Sequence, residues 1–188
     1  VVLTGAFNDT VDAGAYFLTG SLGNRVWHDA NKNGLQDNGE TGIDGVKVTL
    51  FTGAGLQVGT PVTTAGGGFY RFDDLAPGTY YVVFDKATLP AGYVFTAQNS
   101  GSDDTVDSDA NLTTGKSEGN ATVVGGQFND TVDAGAYLVP PLTLTCAGGT
   151  GSVGVAYTSS LVAAGGTAPY SFSISAGNLP PGLTLNPT

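Results

Sequence analysis

Six residues of the segment 29–40 are spaced so that their oxygen atoms suit a hard divalent cation. Side-chain oxygens stand at positions 1, 3, 5, 9 and 12, and a backbone carbonyl serves at position 7. In that order the residues are Asp29, Asn31, Asn33, Asp37, Glu40 and, for the carbonyl, Leu35. Gly34, at position 6, permits the sharp turn that such a loop needs. This is the ligand order of an EF-hand loop, so the segment is predicted to bind calcium.

The alternative is an acidic surface turn, rich in Asn and Gly, that binds nothing; the match at all diagnostic positions favours calcium. The flanks differ from those of an EF-hand, which has a helix on either side. Residues 22–28 are aromatic and β-branched, and residues 45–51 alternate between apolar and polar, so both predict strands. A loop between two strands has no helix pair to open, which favours a structural ion over a sensor.

A second acidic segment, residues 98–119, has almost no apolar side chains. It carries the carboxylates of Asp103, Asp104, Asp107 and Asp109. A run of this length without secondary structure is unusual inside a compact domain unless something organises it. These carboxylates are therefore predicted to bind one or more further calcium ions, with Asp44 or Asp133 as additional ligands. A disordered acidic loop is the alternative.

Composition excludes several classes of function. The 188 residues carry a formal charge of −10 with only six Lys and Arg, which argues against binding to nucleic acid or to anionic membranes. The sequence has no run of about twenty apolar residues that would span a membrane. A single histidine and a single cysteine, far apart in sequence, leave no nucleophile–base pair, so the chain is not expected to be an enzyme. Cys146 is expected either to be buried or to pair beyond residue 188.

A ten-residue repeat indicates tandem modules. Residues 7–16 recur unchanged as residues 128–137. We therefore expect residues 1–18 to be the last strand of one module and 20–138 to be the next, complete module. The 30 glycines, the frequent Thr, Val and Tyr and the absence of a helical period predict an all-β chain. Its predicted strands are 22–28, 46–51, 57–64, 69–72, 79–85, 94–97, 122–128 and 131–137, which form a β-sandwich.

The complete module resembles a known family. The segments that carry the resemblance are 23–40, 42–50, 68–75, 77–80, 90–93 and 101–109. In order and spacing they resemble the SdrD B-like domain, which is related to the Cna B-type module of Gram-positive surface adhesins. The resemblance implies a calcium-binding, transthyretin- or Ig-like β-sandwich, repeated in tandem beside its neighbours in the same chain. It further implies an extracellular stalk in a secreted or wall-attached protein, with adhesion as its role.

Residues 141–188 follow in a different sequence style after Pro140. Segments 154–158, 165–173 and 178–185 are similar to an Ig-like domain of bacterial surface proteins. About half of such a domain is present, so this part is expected to be marginally stable by itself.

The favoured function is a calcium-stiffened structural repeat. The alternative is a binding module that recognises a host surface protein or a glycan. Exposed aromatic side chains would serve such recognition, and Tyr70, Tyr80 and Tyr93 are the candidates. A role in the core is the more common one for such residues.

Overall fold

The computed structural model describes residues 16, 18–146 and 148–188, and the expected strand at 1–18 lies almost entirely outside this part. Within it the only helical element is a 3₁₀ turn at Lys86–Thr88, so the all-β prediction is confirmed. The strands are β1 (Gly20–His28), β2 (Lys47–Thr52), β3 (Gln57–Thr63), β4 (Phe69–Leu75), β5 (Gly78–Phe84), β6 (Tyr93–Phe95), β7 (Ala121–Val123), β8 (Phe128–Asn129), β9 (Ala134–Leu138), β10 (Thr143–Cys146) and β11 (Leu161–Ala164).

Strands β1 to β9 form two sheets that enclose one hydrophobic core. The first sheet has the order β4-β1-β9-β6, with β8 also pairing with β1, and the second has the order β3-β2-β5-β7. Alternation along β5 buries Tyr80, Val82 and Phe84, while Val48 and Leu50 of β2 face the same core. Each fully buried side chain of this size stabilises the fold by roughly 1.5–3 kcal/mol. The predicted β-sandwich is therefore confirmed.

The predicted strand at 122–128 is wrong, because this stretch forms two strands with a turn between them. Gln127 N–H donates to the Val124 carbonyl at 3.1 Å, and Gly126 has φ of 75°. A positive φ is open to glycine and strained for most other residues, so the glycine pair Gly125–Gly126 interrupts the ladder here. The two short strands that result pair with different sheets, β7 with β5 and β8 with β1.

The first and last strands of the module run parallel to each other. Val26 of β1 lies opposite Ala134 of β9, and His28 lies opposite Ala136. Since both strands point the same way, β1 starts at one end of the sandwich and β9 finishes at the other. Residues 29–40 follow the end of β1 and thus lie at the end of the sandwich where β9 finishes. There Lys32 Nζ lies 4.8 Å from the centre of the Tyr137 ring.

In the described residues of 141–188, strands β10 and β11 form an antiparallel pair in which Cys146 lies opposite Leu161. Many large apolar side chains of this part are exposed; examples are Leu142, Leu144 and Val155. The Cys146 thiol is free and exposed, so the expectation of a buried cysteine is wrong. In the described part of the chain, no helix has the length and apolar character that a membrane crossing requires.

Candidate metal centre

Asp29 is the anchor of the loop 29–40. Its carboxylate is fully buried at the end of β1. Oδ2 accepts hydrogen bonds from Gly34 N–H at 2.8 Å and from Thr96 Oγ1 at 2.5 Å, and Oδ1 accepts from Asn33 N–H at 3.2 Å. These donors compensate for the desolvation of the carboxylate and wrap the loop backbone around it.

The amide side chains and the second aspartate of the loop converge on the same space. Asn31 Nδ2 and Asn33 Nδ2 both donate to Asp37 Oδ2, at 2.7 and 2.8 Å. Asn31 Oδ1 accepts from Asn33 N–H at 3.0 Å, and Asn33 Oδ1 accepts from Leu35 N–H at 2.8 Å. The side chains at positions 3 and 5 therefore both contact the side chain at position 9, so the three predicted ligands lie close together.

Glu40 closes the loop. Its Oε1 accepts from Ala30 N–H at 2.8 Å, near the start of the loop, and its Oε2 accepts from Asp37 N–H at 3.0 Å. Both carboxylate oxygens thus point back over the loop rather than into solvent, which is the orientation that a bidentate ligand at position 12 needs. Gly34 has φ of 80°, and a side chain there would collide with Ser100 Oγ at 2.3 Å.

The second acidic segment brings three of its four predicted ligands together. One carboxylate oxygen from each of Asp104, Asp107 and Asp109 lies within 4.8 Å of the others. Asp103 stands apart from this cluster, because its Oδ1 accepts hydrogen bonds from Thr105 N–H at 3.1 Å and from Thr105 Oγ1 at 2.7 Å. Those bonds lower the pKa of Asp103, so this exposed carboxylate is satisfied locally.

One atom of the cluster lacks a hydrogen-bond partner and would be stabilised by a cation. Asp107 is buried, and its Oδ1 has no hydrogen-bond partner among the described residues. A buried carboxylate oxygen without a donor is costly, and a positive ion beside it removes that cost. Burial first, and then the charges of Asp104 and Asp103, raise the pKa of Asp107. A donor set made only of oxygens fits calcium or magnesium, and not a metal that prefers nitrogen or sulfur.

Asp133 lies behind this cluster and is held by hydrogen bonds. It is fully buried; Oδ2 accepts from Asn24 Nδ2 at 2.9 Å and Oδ1 from Arg25 N–H at 3.2 Å. Its own N–H donates to Asp109 Oδ2 at 2.7 Å, which ties the closing strand to the cluster. Burial raises the pKa of Asp109 to about 7 and that of Asp133 to about 9, and repulsion from nearby carboxylates adds to both shifts.

Two other acids differ from the expectation. Asp44 lies at a separate turn, where its Oδ1 accepts from Gly67 N–H at 2.9 Å and Gly68 N–H at 2.6 Å. Glu118 belongs with the cluster, because it lines the same cleft as Asp104 and raises the pKa of Asp109. No spacing pattern in the sequence points to Glu118, which comes nine residues after Asp109. The antiparallel bridge between Ala110 and Ser117 and the bond from Glu118 N–H to the Asp109 carbonyl at 3.1 Å bring it back to the cluster.

The two acidic segments contact each other through their backbones. Gln36 N–H donates to the Val106 carbonyl at 2.6 Å, and Ser108 N–H donates to the Gly34 carbonyl at 3.2 Å. Leu35 and Asp107 form an isolated antiparallel bridge between these bonds. The loop 29–40 and the Asp107 cluster therefore form one continuous structure, although more than sixty residues of sequence separate them.

The module is similar in sequence to a known domain family and to known proteins. A family model described as the SdrD B-like domain matches residues 20–136. The chain is 44% identical over 140 residues to serine-aspartate repeat-containing protein F of Staphylococcus epidermidis, covering 74% of this chain and 7% of that protein. It is 44% identical over 137 residues to serine-aspartate repeat-containing protein D of Staphylococcus aureus strain Newman, covering 73% of this chain and 10% of that protein. The chain thus spans a tenth or less of either relative's length.

Solved structures give weaker matches. The minor pilin GBS52 of Streptococcus agalactiae aligns with a TM-score of 0.46 and 14% identity, covering 66% of this chain and 47% of that one. The major pilin SpaD of Corynebacterium diphtheriae aligns with a TM-score of 0.36 and 18% identity, covering 68% of this chain and 34% of that one. Membership follows from the family model, which covers well over half of the chain. The chain belongs to the SdrD B-like domain family.

Proposed function

We propose that the module 20–138 is a calcium-stiffened structural repeat, a spacer in the stalk of a secreted or cell-surface bacterial protein with an adhesive role. The observation that carries the proposal is the buried Asp107 carboxylate, which clusters with those of Asp104 and Asp109 and whose Oδ1 has no partner among the described residues. A cation between these carboxylates would remove both their mutual repulsion and the cost of the unpartnered oxygen.

The loop 29–40 supports the same proposal independently. Three of its ligand candidates are already close together, because Asn31 and Asn33 both donate hydrogen bonds to Asp37. Binding would replace those weak bonds with contacts to an ion, without rearranging the strands on either side. In millimolar extracellular calcium, a site of micromolar affinity would stabilise the fold by roughly 4 kcal/mol.

A structural role suits the position of these sites. The segment 98–119 adds little to the hydrophobic core apart from Ala110. Binding of an ion by the carboxylates would therefore stabilise the conformation of this segment. The identical sequence of residues 7–16 and 128–137 supports a tandem array, in which neighbouring repeats of the same chain are the nearest partners.

Thermal unfolding of the full chain in calcium, magnesium and EDTA tests the proposal. For a module of this size, about 4 kcal/mol corresponds to a rise in midpoint of roughly 10–20 °C. We expect that rise with calcium and a much smaller one with magnesium. Equal midpoints in all three buffers, with the protein folded in each, would contradict the proposal.

Two variants distinguish the contribution of the loop to calcium binding from its contribution to stability without calcium. Asp29→Asn disturbs a buried carboxylate with three donors, so it should reduce stability by about 1–3 kcal/mol even in EDTA. Asp37→Asn changes an exposed side chain, so its stability in EDTA should stay near that of the parent. Both should lose part of the calcium-dependent rise. Retention of the full rise in both variants would exclude the loop as a calcium site.

One observation favours the alternative function of ligand recognition. Phe69 and Phe128 are 55% and 43% exposed on one sheet face, each with an arginine guanidinium over its ring: Arg25 at 5.4 Å and Arg71 at 4.6 Å. By contrast Tyr70 is only 5% exposed and packs in the core, as does Tyr80. Binding of the full chain to a glycan array, compared with Phe69→Ala/Phe128→Ala, tests this function; equal profiles would remove this face as the binding surface.

A further inference from the structure

The loop 29–40 contains two Asn-Gly pairs, Asn33-Gly34 and Asn38-Gly39, and they are the only two in the sequence. This dipeptide has a characteristic reaction. The backbone nitrogen after the asparagine attacks the side-chain amide carbon, and glycine hinders that attack least because it has no side chain. The two pairs differ sharply in their surroundings.

Asn33-Gly34 is locked. Gly34 is buried, and its N–H donates to Asp29 Oδ2 at 2.8 Å, so this nitrogen is shielded from the solvent that must take its proton. The Asn33 side chain is held at both ends: Oδ1 accepts from Leu35 N–H at 2.8 Å, and Nδ2 donates to Asp37 Oδ2 at 2.8 Å. Attack at this pair requires the loop to open first.

Asn38-Gly39 is open. Both residues are exposed, and no atom lies within 4 Å of the place where a side chain on Gly39 would begin. Within the part of the chain that the structure describes, neither the Asn38 side chain nor the Gly39 N–H makes a hydrogen bond. The surrounding turn is closed by a single backbone bond, from Glu40 N–H to the Asp37 carbonyl at 3.2 Å.

We propose that Asn38 is a site of spontaneous deamidation, selected over Asn33 by the fold. The Gly39 nitrogen gives up its proton to solvent and bonds to the Asn38 side-chain carbon, and the amide nitrogen leaves as ammonia. This closes a five-membered succinimide ring. Water then adds to one of the two ring carbonyls and breaks its bond to the ring nitrogen, which yields aspartate or isoaspartate at position 38.

The product changes the loop in two ways. Isoaspartate routes the main chain through the former side chain and so lengthens it by one atom between Asp37 and Glu40. The contacts that span this turn are the 3.2 Å backbone bond and the 3.0 Å bond from Asp37 N–H to Glu40 Oε2, and both should weaken. The expected loss of calcium affinity rests on the proposed function; the deamidation itself does not.

Ageing of the full chain at neutral pH and physiological temperature tests the proposal, with peptide mapping by mass spectrometry at both asparagines. In the folded protein we expect Asn38 to convert at least about tenfold faster than Asn33, because Asn33 must wait for local opening. In urea, where neither pair is held, the two rates should converge. The variant Asn38→Gln, whose longer side chain closes the ring poorly, should show no conversion at position 38.

Equal rates at Asn33 and Asn38 in the folded protein, in both calcium and EDTA, would overturn the proposal, as would an unreactive Asn38 in protein that converts in urea. Calcium titration of aged and fresh protein distinguishes this result from the fate of the proposed function. Selective conversion in a chain that binds no calcium would leave the modification site standing and remove the calcium role.

Discussion

Three buried aspartates of this module, Asp29, Asp133 and Asp107, differ in the hydrogen-bond donors that reach their carboxylates. The Asp29 carboxylate accepts hydrogen bonds from backbone and hydroxyl donors, and Asp133 accepts from Asn24 and the Arg25 backbone. Asp107 has one buried oxygen with no donor among the described residues. At the scale of the single residue, Asp107 is therefore the one of these three whose burial a cation would compensate most, because its oxygen has no hydrogen-bond donor.

Stability without calcium should depend on pH through Asp109. Its pKa is about 7 in the folded protein against 3.8 for the unperturbed group, so the folded state keeps a proton that the unfolded chain has released. This contribution to stability is complete below pH 3.8 and is lost as the pH rises towards 7. Calcium needs the ionised carboxylate, so its affinity should fall on acidification below about pH 7.

Urea unfolding in EDTA across this pH range is the measurement, with Asp109→Asn as the matched control. The variant has no proton to release at this position, so its stability should fall less steeply with pH than that of the parent. Asp133, with a pKa of about 9, should leave a residual slope at higher pH in both proteins. Parallel curves for parent and variant would show that Asp109 titrates normally.

At the scale of the element, the loop 29–40 has the ligand spacing of an EF-hand but connects two strands, β1 and β2. Both of its glycines have positive φ, but their surroundings differ. Gly34, at 80°, is also packed against Ser100 and the Ala97 carbonyl, whereas Gly39, at 96°, faces open space.

Gly34→Ala and Gly39→Ala should therefore differ in cost. Alanine at position 39 pays only for the backbone conformation, about 1–2 kcal/mol. Alanine at position 34 adds a collision 2.8 Å from the Ala97 carbonyl, for a total of about 3 kcal/mol or more. Denaturant unfolding of both variants in EDTA checks this difference. Equal losses in the free energy of unfolding would mean that the neighbours of Gly34 move aside at little cost.

Much of this element could be predicted from sequence because its information is local. Ligand spacing in 29–40 and alternation in β5 are patterns of neighbouring residues. The bridge between Leu35 and Asp107 depends on which distant segments meet, and the place of Glu118 depends on how residues 110–117 fold back; no ligand-spacing pattern encodes either. Likewise Asp103 looked equivalent to Asp104 in sequence, but Thr105 captures its carboxylate. The ligands proposed for 29–40 remain predictions.

At the scale of the whole molecule, the backbone bonds between Gln36 and Val106 and between Ser108 and Gly34 couple the two acidic segments. Hydrogen exchange should show them opening together. In EDTA we expect fast exchange in both 30–40 and 99–119 while β1, β2 and β5 stay protected, and slow exchange in both segments after calcium is added.

The variant Asp107→Asn tests that coupling, because it alters one segment and leaves the other intact in sequence. Faster exchange within 30–40 in this variant would support a single cooperative unit. A change confined to 99–119 would show two independent sites.

The parallel pairing of β1 with β9 has a mechanical consequence. Tension on the two ends of the module pulls the start of β1 one way and the end of β9 the opposite way. The bonds that join Val26–His28 to Ala134–Ala136 are then sheared and must break together, rather than being peeled apart in sequence. A hairpin loaded at its open end yields one bond at a time. This topology therefore gives the module high resistance to stretching along its long axis, whatever occupies its acidic loops.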